Sequence, residues 1–94
     1  MAVFIKIDKV RENDEVVVYR YTQPTCRPNP EKPRRLIVTG ENYGEVLLNK
    51  TDGTLEWLSG QDWDINGAFR DRTCMKIARC YQAGVYPDPL YWAS

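Results

Sequence analysis

One stretch of this chain, "AFRDRTCMKIARCYQAG", spaces its apolar residues as a helix does. Phe69, Cys74, Ile77, Ala78 and Tyr81 recur near a period of roughly 3.6, with Met75 at the margin of the stripe. Asp64 or Asn66 suits the helix start as a capping acceptor. Gly84 suits the left-handed position just past its end, and Pro87 follows soon after. About 16 residues at roughly 1.5 Å each give a helix of about 24 Å, long enough to cross a small sheet. A lone helix must bury its stripe against something, so the rest of the chain has to supply a sheet.

The period of two before it supplies that sheet. In "AVFIKIDKVREN", Val3, Ile5 and Ile7 share one face while Phe4, Lys6 and Asp8 share the other. "RENDE" is a polar turn, and "EVVVYRYT" is a second strand with Val17, Tyr19 and Tyr21 on one face. "RRLIVTG" and "GEVLLNK" read as strands three and four around "ENYG", and "TLEWL" reads as strand five. Asp52-Gly53 between strands four and five is the strongest hairpin signal in the chain. The expectation is a single domain over residues 1–94, of the α+β class. Its two layers are about five antiparallel strands and one C-terminal helix, followed by an extended tail.

Two segments resist that scheme. "QPTCRPNPEKPRR" holds Pro24, Pro28, Pro30 and Pro33, and proline is unsuited to a helix or a central strand, so a long extended loop is expected at 23–33. The tail "AGVYPDPLYWAS" carries more aromatics than a disordered end normally does. The sheet also shows a second apolar face through Val16, Val18, Leu47 and Leu58, with no helix left to cover it. Tyr86, Leu90 and Trp92 are therefore expected to pack on the domain, with Tyr91 more exposed.

Composition narrows function mainly by exclusion. The 94 residues contain 13 basic and 13 acidic groups and no histidine, which removes the usual zinc ligand and neutral-pH proton shuttle. The three cysteines, Cys26, Cys74 and Cys80, are odd in number and have no CxxC spacing, so neither a disulfide framework nor a metal site is expected. "DWDING" lacks the ligand spacing of a calcium loop. Phosphate-binding glycine loops and nucleophile-elbow motifs are absent from the sequence. No cofactor and no enzymatic activity are expected; a histidine-free hydrolase built from Glu31, Arg34 and Arg35 beside Tyr19 or Tyr21 is the remaining catalytic reading. The sequence has no apolar run of 18 residues, and its N-terminus does not resemble a secretion signal, so a cytoplasmic location is expected and a membrane span is not.

Charge is unevenly spread. Residues 1–40 hold eight basic and five acidic groups, residues 41–69 one basic and six acidic, and residues 70–94 four basic and two acidic. The acidic middle, with Asp52, Glu56, Asp62 and Asp64, suits a basic protein partner such as a nuclease active site. Trp63 between two aspartates and Tyr43 in "ENYG" are candidate aromatic anchors, although Trp63 equally suits a staple on the helix start. An alternative basic surface is Arg72, Lys76 and Arg79 along one helix face, joined by Arg34 and Arg35. It suits a small nucleic-acid-binding module, though zero net charge argues against that.

The meander "GEVLLNKTDGTLEWL" and the acidic, tryptophan-bearing loop that follows, together Gly44 to Asp64, resemble immunity proteins of interbacterial toxin systems, including contact-dependent inhibition. The resemblance implies a non-catalytic role, in which the protein neutralises a cognate toxin by binding it tightly. It maps no functional residue onto this chain. Phage-encoded inhibitors, antitoxin-type regulators and adaptor subunits are the alternatives among binding proteins. A homodimer through the uncovered sheet face or the proline-rich arm is also open.

Overall fold

The computed structural model describes residues 4–32 and 34–93. Val3 and Pro33, both named above, lie outside them. Five strands and one helix follow in the order β1 (Phe4–Glu12), β2 (Val16–Pro28), β3 (Leu36–Asn49), β4 (Leu55–Ser59), α1 (Ala68–Ala83) and β5 (Leu90–Ala93). The strands form one antiparallel sheet in the order β4-β3-β2-β1-β5, with α1 on one face. This is the expected two-layer α+β architecture. Among the described residues no helix is long and apolar enough to cross a membrane.

The five strands are not the five expected. "ENYG" does not break the chain, so the third and fourth expected strands are one continuous strand, β3. Glycine at 44 is tolerated in mid-strand because it stands opposite Tyr21, whose ring fills the space a side chain would need. The fifth strand comes from the tail: β5 pairs along β1, Phe4 opposite Ala93 through Ile7 opposite Leu90.

The proline segment is also corrected. Through Pro28 it is strand, paired residue by residue with β3 from Gln23/Asn42 to Pro28/Leu36, with one bulge. The turn between β2 and β3 is described at residues 29–32 and 34–35, where the Asn29 N–H donates to the Arg35 carbonyl. The pairing of β1 with β2 extends only as far as Lys6 with Thr22. From Gln23 onward β2 therefore has β3 alone beside it among the described residues. Proline is compatible with such an edge, because its missing N–H removes no bond on the open side. The result is a two-stranded arm. At roughly 3.3 Å per residue, the stretch after Thr22 carries it about 20 Å past the body, in a molecule 52 Å long and 24 Å wide.

The core lies between the sheet and α1. Ile5 and Ile7 of β1, Val17, Tyr19 and Tyr21 of β2, Val46 and Leu48 of β3, and Ile77 of α1 are buried together. These sheet residues sit at alternate positions, as the period of two predicts. The helix stripe is rotated from the expected one. Thr73, Ile77 and Cys80 are its buried residues, Phe69 and Cys74 are half-buried, and Tyr81 and Met75 are exposed. A threonine can lie on the buried face because its Oγ1 donates to the Phe69 carbonyl 2.9 Å away within the helix. Tyr81 instead lies beside Gly53 in the β3–β4 turn. Gly84, at φ 74°, closes α1 in the left-handed conformation, and its N–H donates to the Cys80 carbonyl.

The tail packs as expected but in an unexpected place. Tyr86, Leu90 and Trp92 join the core beneath the helix end, while Tyr91 is exposed. Two hydrogen bonds fasten the approach to β5: the Tyr19 hydroxyl donates to the Pro87 carbonyl at 2.8 Å, and the Lys9 N–H donates to Asp88 Oδ1 at 3.0 Å. The tail extends the sheet and leaves the second face open. That face is screened by its own charged side chains: Arg20 pairs with Glu45 at 3.1 Å and Lys6 lies 3.8 Å from Asp8. Val18, between Arg11 and Leu47 in the sheet, is buried even though it points away from α1.

Removing residues 86–94 deletes a whole edge strand and three core-packing side chains. Its expected cost is several kcal/mol, at about 1.5–3 kcal/mol for each large side chain fully buried. Urea unfolding of the truncated chain reads this directly; an unchanged midpoint would contradict the packing.

Candidate interaction surface

The acidic middle is held in place by a buried carboxylate. After β4 the chain turns through Gly60–Gly67, with the N–H groups of Trp63 and Asp64 donating to the Gly60 carbonyl. This directs Asp64 inward, where it is only 3% exposed. Its Oδ1 accepts from the Phe69 N–H at 3.3 Å and its Oδ2 from the Arg70 N–H at 2.8 Å, so it caps α1 from three residues before the helix-flanking Gly67. The capping role foreseen for Asp64 or Asn66 therefore falls to Asp64. The Tyr21 hydroxyl donates to Oδ2 at 3.2 Å and accepts from Trp57 Nε1 at 2.9 Å. One carboxylate thus links the helix N-terminus to β2, and through Tyr21 to β4. A negative charge at this end of a helix is also favoured by the aligned peptide dipoles. Buried in this way, Asp64 has no part in an exposed acidic surface.

Trp63 resolves to the staple. Its ring centroid lies 5.8 Å from Tyr21 and 5.5 Å from Phe69, both tilted contacts, and its Nε1 donates to the Tyr43 carbonyl at 2.7 Å. The Arg70 guanidinium lies 4.3 Å from the centroid of Trp57, covering the second tryptophan. Tyr43 itself is 49% exposed on the open sheet face, with Arg20 5.6 Å from its ring centroid and its hydroxyl donating to Glu41. With Lys6, Asp8 and Thr22 these three residues line a shallow cavity of about 360 Å³. Arg20 was not singled out in the sequence, because only the pairing of β2 with β3 brings it beside Tyr43; Glu41 shares a face with Tyr43 because "ENYG" is strand.

The three remaining acids stay on the surface and follow β4 from end to end. Asp52 occupies the turn before it, where its Oδ1 accepts from the Thr54 N–H at 2.9 Å and the Thr54 hydroxyl at 2.7 Å. These bonds, the backbone one first, hold its carboxyl below the usual range. Glu56 is exposed on β4 and Asp62 on the turn after it. Among the described residues no ion pair engages Asp52, Glu56 or Asp62. Leu55 and Leu58, 38% and 39% exposed, lie among them. β4 is the edge strand on this side of the sheet. The Gln61 side-chain amide donates to the Trp57 carbonyl at 3.0 Å.

The basic residues are not brought together. Arg34 and Arg35 are exposed at the tip of the β2–β3 arm, whereas Arg72, Lys76 and Arg79 lie on α1 against the body. Arg72 Nη1 donates to the Ala68 carbonyl at 3.0 Å in its own helix. Lys76 and Arg79 rim an apolar cavity of about 290 Å³ between the helix end and Leu90. The catalytic constellation of Glu31, Arg34 and Arg35 with Tyr19 or Tyr21 is not formed, since both tyrosines are buried in the body and the charged residues lie at the arm tip. Among the described residues no cluster of metal-ligating side chains occurs. Cys74 and Cys80 are free thiols, pushed up from their ordinary pKa by burial. In comparisons with known proteins, the chain matches no family model, no curated protein and no solved structure.

Asp62 and Asp64 are two residues apart and should respond oppositely to substitution. Asp64→Ala removes a cap and leaves the Tyr21 hydroxyl and two N–H groups without their acceptor, for an expected loss of about 2–4 kcal/mol. Asp62→Ala is expected to fall within about 0.5 kcal/mol of the parent protein. Chemical denaturation of the two variants makes the comparison; equal losses would refute the assignment. Burial also pushes the Tyr19 and Tyr21 hydroxyls well above their ordinary value of about 10. Their folded pKa values are raised, so their contribution is complete below about pH 10. It is lost as pH rises from there towards the folded values, because the unfolded chain ionises first. Stability should therefore fall on the alkaline side, and Tyr21→Phe should fall less steeply, as read from thermal midpoints across that range.

Proposed function

We propose that this chain is a cytoplasmic, non-catalytic protein-binding inhibitor of the immunity type, which neutralises a toxin by covering a basic surface on it. The observation that carries this reading is the set of exposed acids Asp52, Glu56 and Asp62 that follow β4 with no ion pair among the described residues, with exposed Leu58 on the same face as Glu56 and exposed Leu55 on the other. A nuclease toxin needs cations to hold phosphates, so an acidic edge of this kind would compete for the same groups. Long-range attraction would speed the encounter, while the leucines would supply apolar contact once the surfaces meet. The edge coincides with the Gly44–Asp64 stretch that resembles toxin-neutralising immunity proteins. Tyr43 lies on the adjoining strand and could extend the contact; Trp63 and Asp64 support the edge from behind.

The nucleic-acid reading is weaker on this geometry. Its two basic groups sit on separate parts of the molecule, and α1 contributes only a short cationic stripe, too little for a continuous phosphate track.

Glu56→Lys combined with Asp62→Lys should weaken binding to the partner at least about tenfold, or ~1.4 kcal/mol. The thermal midpoint should be nearly unchanged. The partner would be recovered by affinity capture from the native host, identified, produced separately and titrated by calorimetry. Equal affinities for the parent and the double variant would remove the acidic edge as the binding site.

A further inference from the structure

The two edges of the β2–β3 arm are unlike. The β2 edge carries Pro24 and Pro28, which cannot donate to an added strand. The β3 edge runs "RRLIVTGEN", from Arg34 to Asn42, with no proline and no charge between Arg35 and Glu41. Leu36, Ile37, Val38 and Thr39 give it strong strand character. Trp63 Nε1 takes up the Tyr43 carbonyl, and β4 occupies β3 from Glu45 onward. Among the described residues, nothing pairs with β3 on that side between Leu36 and Asn42. A two-stranded ribbon beyond the helix is marginal by itself, so an open, uncharged, β-branched edge here calls for a partner strand.

We propose that the partner strand is the same segment of a second copy, paired antiparallel across a twofold axis at Val38. In that register Val38 faces its own counterpart, Ile37 faces Thr39, and Leu36 faces Gly40. Arg35 then stands opposite Glu41 of the other copy, twice by symmetry. The segment is thus complementary to its own reverse in charge, with an uncharged stretch between its charged ends. Opposite charges directly across an antiparallel pair stabilise it, and like charges destabilise it. The overlap ends at Arg34 and Asn42, so the two bodies lie at opposite ends of the joined strands. Thr39, the extra residue of the β3 bulge, increases the local twist; with a copy on each strand near the axis, both strands carry the same twist. The contact is isologous and closed, producing a four-stranded arm and no open fibre. It uses a different edge from the acidic row along β4, so it stands or falls independently of the inhibitor reading.

Sedimentation equilibrium over a concentration series tests this on the full chain, with circular dichroism and thermal unfolding as controls on folding. The parent protein should self-associate to twice its 10.9 kDa mass. Arg35→Glu and Glu41→Arg should each raise the dimer dissociation constant roughly tenfold or more, because each creates two like-charged pairs. The combined charge swap should restore the parent value. A monomer at every concentration would overturn the proposal and leave the edge to a foreign strand. A dimer indifferent to the single reversals, or one that the combined swap does not rescue, would place self-association elsewhere and also overturn it.

Discussion

The buried carboxylate of Asp64 is the constraint on which the rest of this structure depends. It accepts the first free N–H groups of α1 and the hydroxyl of Tyr21, and Tyr21 in turn accepts the indole N–H of Trp57. Helix start, central strand and edge strand are thereby set at fixed distances. Tyr21 reaches this point only because Gly44 lies opposite it and Gly60 lies beside its hydroxyl; a Cβ at either would meet the tyrosine at under 3 Å. A buried charge is costly when unsatisfied, so this node specifies one arrangement of helix on sheet with little room for sliding.

That node also divides the acidic residues into two kinds. Asp64 is consumed by the fold, and with it Trp63, whose indole closes β3 at Tyr43. Some surface charges are matched locally. Glu12 bridges Lys9 and Lys50, each at 2.6 Å, and those hydrogen bonds, the Lys50 one first, hold its carboxyl below the usual range. Lys50 also sits 4.8 Å from the ring centroid of Tyr86, joining the β3–β4 turn to the tail. Asp52, Glu56 and Asp62 have no such ion pair among the described residues, and because they follow one edge strand the proposed contact is placed there.

The arm shows how one strand changes character along its length. Among the described residues β2 is central while β1 lies beside it and becomes an edge after Thr22. The same chain segment therefore passes from Val17, Tyr19 and Tyr21, buried under a helix, to Pro24 and Pro28, which would disrupt a central strand. β3 undergoes the matching change without prolines, leaving the arm guarded on one side and open on the other.

The sequence by itself determined the class of fold, the β1–β2 hairpin with Ile5, Ile7, Val17, Tyr19 and Tyr21 facing inward, the turn at Asp52-Gly53, and the helix with its cap narrowed to Asp64 or Asn66 and its end at Gly84. Each is written in local periodicity or in backbone preferences of single residues, which neighbours in sequence are enough to express. Four things were decided only by tertiary structure. The continuity of β3 through Gly44 required Tyr21 to fill the gap from the next strand. Pro24 and Pro28 became strand residues because, among the described residues, the pairing of β1 with β2 stops short of them. The tail became β5 because β1 had an unpaired side to receive it, and the helix stripe turned towards Thr73 because its hydroxyl finds an acceptor within the helix. The division between a structural Asp64 and exposed Asp62 likewise depends on where the turn after β4 aims each carboxylate, since residue type and spacing are the same for both.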